Sequence, residues 1–335
     1  MPFAIAWKAT TNVAYSALRA TNTLAMPYIG RFAPSPTGSL HFGSLVTAIA
    51  SYCDAKANHG QWIVRMEDLD KPREVAGAAD NILQQLEHFG FEWVQPIIVQ
   101  SQRAEHYENA LKRLKNKQLV YPCTCTRKEI ADSSTMIGVD SIIYSRACLL
   151  HETKPNKTAA WRVKTNNSTV HFCDAIQGEV SHILSNEVGD FILKRADGLF
   201  AYQLAVIVYD AAQGVTHIIR GADLLDSTPR QIYLQQLLAY ATPHYAHVPV
   251  ASNLAGEKLS KQTLAKPIDI HLSTQSSSIM IKALIFEALS FLGQNPPLAI
   301  KNTSLNECWQ WAITHWNLAN VPKQTHIKIN SSVRY

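Results

Sequence analysis

Apolar positions recur along this chain with two different periods, and the two take turns. Residues 28–32 read as an extended run, 44–58 as a helix, 61–67 as a strand, and 76–89 and 101–118 as helices with one apolar face. Strand and helix in alternation predict a parallel, doubly wound α/β sheet of the Rossmann type, with its ligands at the carboxyl ends of the strands. The pattern weakens over 122–170, where a Cys-x-Cys pair and turn residues replace periodic apolar positions, so an insertion is expected there. Strands of the parallel sheet are expected again at 190–195, 201–210 and 216–220, followed by a helix at 229–240. Residues 276–292 and 305–316 read as amphipathic helices. The expected organisation is an extension at 1–26, an α/β domain over 27–121 and 171–245 interrupted by the insertion 122–170, and a loop with a small helical region over 246–335.

Composition narrows this only a little. A chain of 335 residues, 47% hydrophobic, can bury a large core. No apolar run approaches the roughly 20 residues of a spanning helix, so no membrane role is expected. A net charge of +5 suits a polyanionic partner without demanding one. Six cysteines, unevenly spaced and with no secretory signal, fit a reducing cytoplasm better than a disulfide scaffold. Residues 1–26 hold Lys8 and Arg19 and no acid, which leaves a transit peptide, a poorly ordered extension and an upstream start all open.

Candidate chemistry concentrates in Arg31-Phe32-Ala33-Pro34-Ser35-Pro36-Thr37-Gly38-Ser39-Leu40-His41-Phe42-Gly43-Ser44-Leu45. Two prolines keep the backbone extended, Gly38 and Gly43 let it approach a phosphate, and the helix that follows offers its N-terminus to an anion. Far downstream, Gly256-Glu257-Lys258-Leu259-Ser260-Lys261-Gln262 carries two lysines that can swing over a triphosphate. Together the segments resemble the paired HIGH and KMSKS signatures of class I aminoacyl-tRNA synthetases. That resemblance implies roles for His41, Lys258 and Lys261 in catalysis, and ATP contacts at His41, Gly43, Ser44 and Lys261 with Mg2+ accompanying the nucleotide.

Four further residues fall where a small zwitterion could be held: Arg31, Glu67 at the end of a strand, Tyr202, and Arg220 before Gly221. A planar guanidinium accepts a carboxylate in bidentate fashion and rejects a neutral amide, which points to glutamate. Arg31 and Arg220 paired with nearby acids at the sheet edge is the structural alternative. The runs 32–38, 65–68, 189–198 and 217–231 resemble glutamyl-tRNA synthetase signatures, and the resemblance carries the glutamate contacts onto Arg31, Phe32, Ala33, Pro34, Ser35, Glu67, Tyr202 and Arg220.

Two features set the chain apart from a full-length enzyme of that kind. Only residues 263–335 follow the lysine loop, so no anticodon-binding domain is expected, and Cys123-Thr124-Cys125 is followed by Tyr144 and Cys148. Both resemble the glutamyl-Q-tRNA(Asp) synthetase family, truncated relatives that attach glutamate to queuosine in the anticodon of tRNA(Asp). The resemblance implies L-glutamate, ATP and queuosine-containing tRNA(Asp) as partners, a monomer, and one structural zinc on Cys123, Cys125, Tyr144 and Cys148. Thiolates suit zinc, but a phenol must first lose its proton. A water in the fourth position, His151 as a substitute, and three free thiols all stay open. So do a truncated enzyme charging tRNA(Glu), a nucleotidylyltransferase, and a catalytically inactive RNA-binding paralogue.

Overall fold

The computed structural model describes residues 27–134, 136–139, 142–151, 153–253, 268 and 275–329. The first extended run forms β1 (Ile29–Phe32) and leads through the Pro/Gly segment into α1 (Phe42–Ala57). Then come β2 (Gln61–Met66), α2 (Ala78–His88), β3 (Val94–Val99) and α3 (Ala104–Asn116). The middle of the chain holds β4 (Val120–Cys123), α4 (Arg127–Ser133), α5 (Ala147–Leu150), β5 (Ala160–Val163), β6 (Thr169–Asp174), β7 (Gly178–Ile183), α6 (Leu184–Glu187) and β8 (Ile192–Lys194). After it lie α7 (Tyr202–Ala212), β9 (His217–Gly221), α8 (Thr228–Leu238), β10 (His244–Val248) and β11 (Val250–Ser252). The last are α9 (Gln275–Phe291), α10 (Leu305–Thr314) and β12 (His326–Lys328).

Five strands make one sheet in the order β10-β9-β1-β2-β3, and every neighbouring pair is parallel. The order runs outward from β1 in both directions, so the crevice of a doubly wound fold lies between β1 and β9. Adjacent residues enter different apolar cores. Phe32, Val64, Ile219 and Ala246 pack with α1, α9 and α10, whereas Ile63, Ile218 and Tyr245 pack with α3, α7 and α8. Helices therefore cover both faces, as parallel sheets require. Aromatic rings fill the first core: Tyr52 meets Trp62, Phe91 and Trp309 at 4.9–5.2 Å, and the Trp309 indole N–H donates to the Phe89 carbonyl at 2.8 Å. No described helix is long and apolar enough to cross a membrane.

Two expectations for the sheet fail. Residues 201–210 form helix α7 rather than a strand, because Leu204 to Asp210 are buried on every side and a run with no polar face carries no period to read. The strand expected at 190–195 exists as β8, but it pairs antiparallel with β5 in a separate sheet ordered β4-β5-β8. The sequence reading also passed over β3 and β10, the two edges of the parallel sheet.

Candidate active site

Strand alternation builds the site. Phe32, Val64, Met66 and Ile219 face the α1 side, so Arg31, Arg65 and Arg220, each next to one of them, face α7 at the carboxyl ends of β1, β2 and β9. All three are buried, with Arg65 fully so. Buried cations must be compensated. Asp210 of α7 does this for two of them: its Oδ1 lies 2.5 Å from Arg65 Nη1 and 3.5 Å from Arg31 Nε. Burial alone would raise the Asp210 pKa, but Arg65 and Arg31 beside it hold the carboxyl below its usual range. Arg65 also donates to Glu67 Oε1 through Nη2 at 2.9 Å and Nε at 3.3 Å, which orients the carboxylate. The Glu67 amide in turn donates to the Pro34 carbonyl at 3.0 Å, joining the end of β2 to the Pro/Gly segment.

Arg220 is placed differently. It donates to Tyr202 Oη at 3.5 Å, Thr228 Oγ1 at 2.8 Å, the Leu224 carbonyl at 3.4 Å and His247 Nε2 at 3.0 Å, all of them uncharged. His247 Nδ1 lies 2.5 Å from Asp174 Oδ2, and neither side chain is exposed. Burial draws the His247 pKa down to about 4, the positive Arg220 adds to the fall, and Asp174 opposes it. The ring is thus neutral, with its proton on Nδ1 toward Asp174 and a lone pair toward Arg220. Asp174 stays ionised, because hydrogen bonds from His247 and from the amides of Gln177 and Ile176 outweigh its burial.

The candidate glutamate contacts lie together at the carboxyl ends of β9, β1 and β2: Tyr202 of α7 is close to Arg220, Glu67 and Arg31 alike. Phe32 is buried, Ala33 and Pro34 are half-buried, and Ser35 is exposed. Gly38 adopts φ +127°, a conformation that favours glycine, and the chain turns there toward α1. His41 is the N-cap of α1, its Nδ1 accepting the Ser44 amide at 3.3 Å, with Gly43 and Ser44 in the first turn. Lys258 and Lys261 lie outside the described residues. Downstream of them, Ile268 is pinned to the first motif: its amide donates to the Leu40 carbonyl at 2.9 Å, and buried Gln85 accepts from Leu40 and donates to the Ile268 carbonyl.

The cysteines converge as well. The Sγ atoms of Cys123, Cys125 and Cys148 lie within 4.8 Å of one another, and Tyr144 Oη sits 3.4 Å from both Cys123 and Cys125. A tetrahedral ion with Zn–S near 2.3 Å needs sulfur separations of about 3.8 Å, so the donor set fits a metal. Burial and the three thiols raise the Tyr144 pKa in the absence of an ion, while the Cys148 amide donates to the phenol oxygen at 2.8 Å and favours its anion. His151 is exposed and outside the cluster.

A doubly wound sheet with buried arginines at its switch point and a capped helix N-terminus beside them is the layout of a nucleotide-binding catalytic domain, and the family match makes it one of the class I synthetase type. Residues 29–306 match the family described as tRNA synthetases class I (E and Q), catalytic domain. The chain is 53% identical over 301 residues to the glutamyl-Q tRNA(Asp) synthetase of Aromatoleum aromaticum, covering 90% of this chain and 92% of that protein. It is 51% identical to the protein of that name from Dechloromonas aromatica, covering 90% and 98%. A glutamate-tRNA synthetase crystal structure from Elizabethkingia anophelis shares the fold, with TM-score 0.70 at 23% identity over 91% of this chain and 68% of that one. The chain belongs to the class I (E and Q) tRNA synthetase family, within its glutamyl-Q tRNA(Asp) synthetase group.

Sequence reading passed over Asp210, Asp174, His247 and Gln85, and assigned no role to Arg65. A single acid closing an otherwise apolar run, as Asp210 does after 204–209, is the one signal that was available.

The His247 pKa of about 4, against 6.5 for the free side chain, fixes a pH dependence. Between those values the unfolded chain binds the extra proton, so stability is full above pH 6.5 and falls as pH drops toward 4. Asp174 remains ionised through that window and does not reverse the sign. Urea midpoints taken from pH 7 to pH 4.5 should fall less steeply for His247→Gln than for the wild type; parallel slopes would contradict the neutral, buried imidazole.

Proposed function

We propose that this protein activates L-glutamate with ATP and transfers the glutamyl group to queuosine in the anticodon of tRNA(Asp). The observation that carries the reading is Arg220, a buried guanidinium whose hydrogen bonds go to uncharged groups. A substrate carboxylate completes it. Glu67 would receive the substrate ammonium, with Tyr202 closing the pocket and Arg31 and residues 32–35 facing the reacting end. The glutamyl-Q tRNA(Asp) synthetase relatives supply the RNA partner.

In the first step a glutamate carboxylate oxygen attacks the α-phosphorus, its bond to the pyrophosphate oxygen breaks, and glutamyl-adenylate and pyrophosphate result. No protein nucleophile is needed. Positioning and charge stabilisation do the work, so His41 at the α1 N-terminus and Lys258 and Lys261 of the loop act on the phosphates. Gly43 and Ser44 leave the first helical turn open to them. Magnesium bound with ATP supplies counter-charge. In the second step a queuosine hydroxyl oxygen attacks the acyl carbon, AMP leaves, and the hydroxyl proton is released.

We read the cysteine cluster as one structural zinc site, held by Cys123, Cys125 and Cys148 with Tyr144 as the fourth donor. Small cores gain folding energy from a metal, and the apolar cluster here is small, centred on Tyr121, Cys123 and Tyr144. The cytoplasm, where thiols stay reduced, is its setting.

Labelled glutamate incubated with ATP and tRNA(Asp) should enter RNA only when the RNA carries queuosine. Labelling of tRNA(Glu) at its 3′ end instead would replace this reading with a conventional synthetase. Lys261→Ala should slow glutamate-dependent pyrophosphate exchange on the order of 100–1,000-fold at an unchanged melting temperature, and a wild-type rate would remove the lysine from the chemistry. Purified protein should contain close to one zinc, which Cys123→Ser and Cys148→Ser should both release. Retention of the metal by both variants would dissolve the assignment.

A further inference from the structure

Arg220 can grip a carboxylate only if its fork is held at one angle, and a chain of buried groups behind it does the holding. We infer that Asp174 and His247 form a positioning relay that orients Arg220 toward the glutamate side chain and thereby sets the affinity and selectivity for that substrate. The inference rests on the glutamate-activating reading above and deepens it.

A guanidinium has donors only, so the atom facing Arg220 Nε must be an acceptor. His247 Nε2 is that atom, at 3.0 Å, and it accepts only while the ring proton sits on Nδ1. Asp174 Oδ2 fixes the proton there, at 2.5 Å. Its other oxygen is committed to three amides, those of Ile176 at 3.0 Å, Gln177 at 2.9 Å and His247 at 3.1 Å, so the carboxylate cannot swing away. Backbone pairing adds to the alignment, since Arg220 and His247 are direct partners in the β9/β10 register. Tyr245 stacks on the imidazole at 6.2 Å, and Thr228 Oγ1 accepts from Arg220 Nη2 at 2.8 Å, so the fork is fixed at Nε and at one Nη. The other Nη leans on the Tyr202 hydroxyl at 3.5 Å and faces the proposed ligand. Neither Asp174 nor His247 reaches the substrate in this arrangement.

Three variants test the tautomer rather than the mere presence of the ring. In Asp174→Asn the amide oxygen keeps the three backbone donors while its NH2 points at Nδ1. That forces the proton onto Nε2, where it confronts the Arg220 N–H and can turn only to Thr228 Oγ1, 3.2 Å away and already accepting from Arg220, so either outcome displaces the guanidinium. His247→Leu removes the acceptor, and His247→Gln returns one at the Nε2 position. In glutamate-dependent pyrophosphate exchange by the full chain, Asp174→Asn and His247→Leu should raise the KM for glutamate about 10–100-fold. The KM for ATP should hold, kcat should change far less, and discrimination against glutamine should shrink. His247→Gln should recover most of the affinity. Nitrogen-15 spectra of labelled histidine should show His247 neutral and protonated on Nδ1 in the wild type, and on Nε2 in Asp174→Asn. Variants that fold and keep the wild-type glutamate KM would overturn the relay, as would a wild-type ring protonated on Nε2. A wild-type chain that turns over no glutamate while showing the expected spectra would instead overturn the functional reading on which the relay's role depends.

Discussion

The fold is organised around the cost of burying three arginines at the ends of adjacent parallel strands. A charge taken out of water carries a penalty of several kcal/mol per ion, and Arg31, Arg65 and Arg220 stand side by side on one face of the sheet. Asp210 answers the first two from α7, and Glu67 answers Arg65 a second time. The helix must bring a carboxylate into an apolar layer, which explains why α7 is apolar from Leu204 to Val208 and then closes on Tyr209 and Asp210. Arg65 spans β2 and α7 and also lies 5.1 Å from the Tyr209 ring, so the position of α7 over the sheet is set by charge as much as by packing. Tyr202, at the other end of that helix, inherits its place from the same contact.

How much of this was legible beforehand follows from which residues carry periodic signals. β1, α1 and β2 alternate clearly, and the Pro/Gly segment and the 65–68 run mark the strand ends, so Arg31, His41 and Glu67 could be located without coordinates. The α7 segment could not, since a helix buried on all sides and a buried strand share one pattern. Reading it as a strand still placed Tyr202 in the site but hid Asp210, whose partners lie on β1 and β2. His247 was hidden for a related reason: it stands between Ala246 and Val248 in an apolar strand, and only the register with Arg220 gives it a task. The cysteines were visible because Cys-x-Cys followed by a third thiol is a spacing with chemical meaning. The strand β4 that ends in Cys123, its antiparallel partner β5, and the short helix α5 that carries Cys148 left no comparable mark.

The cysteine region is tied to the rest by Asp190, which is buried and accepts from Tyr121 Oη at 2.8 Å, Arg146 Nη2 at 2.8 Å, and the Thr165 amide and hydroxyl at 2.7 and 2.9 Å. Tyr121 and Arg146 lie close in sequence to Cys123 and Cys148, so one carboxylate fixes the approach of both arms of the cluster. Arg162 adds a second tie, stacking its guanidinium 4.1 Å from the Tyr144 ring while donating to the Asp190 carbonyl at 2.8 Å. The three sulfurs and the phenol are thus held in place by groups outside the cluster, the arrangement that would lower the ordering cost of a metal bound there.

The end of β1 joins the two halves of the candidate site. Arg31 faces α7 and Phe32, the next residue, faces α1, so the strand ends between the buried-arginine face on one side of the sheet and a helix N-terminus on the other. The chain beyond it crosses from the first to the second: Pro34 receives the Glu67 amide, Gly38 turns, and His41 caps α1. Under the proposed function, a carboxylate held by Arg31 and a phosphate held at the cap would meet at the same few residues without any movement of the sheet. Gln85 fixes the remaining variable, because by clamping Leu40 to Ile268 it ties the chain just past the lysine loop to the residue before His41. Leu40 and Ile268 thus share one anchor, and the segment that presents the cap is fixed to a residue more than 200 positions away in sequence by a single buried amide.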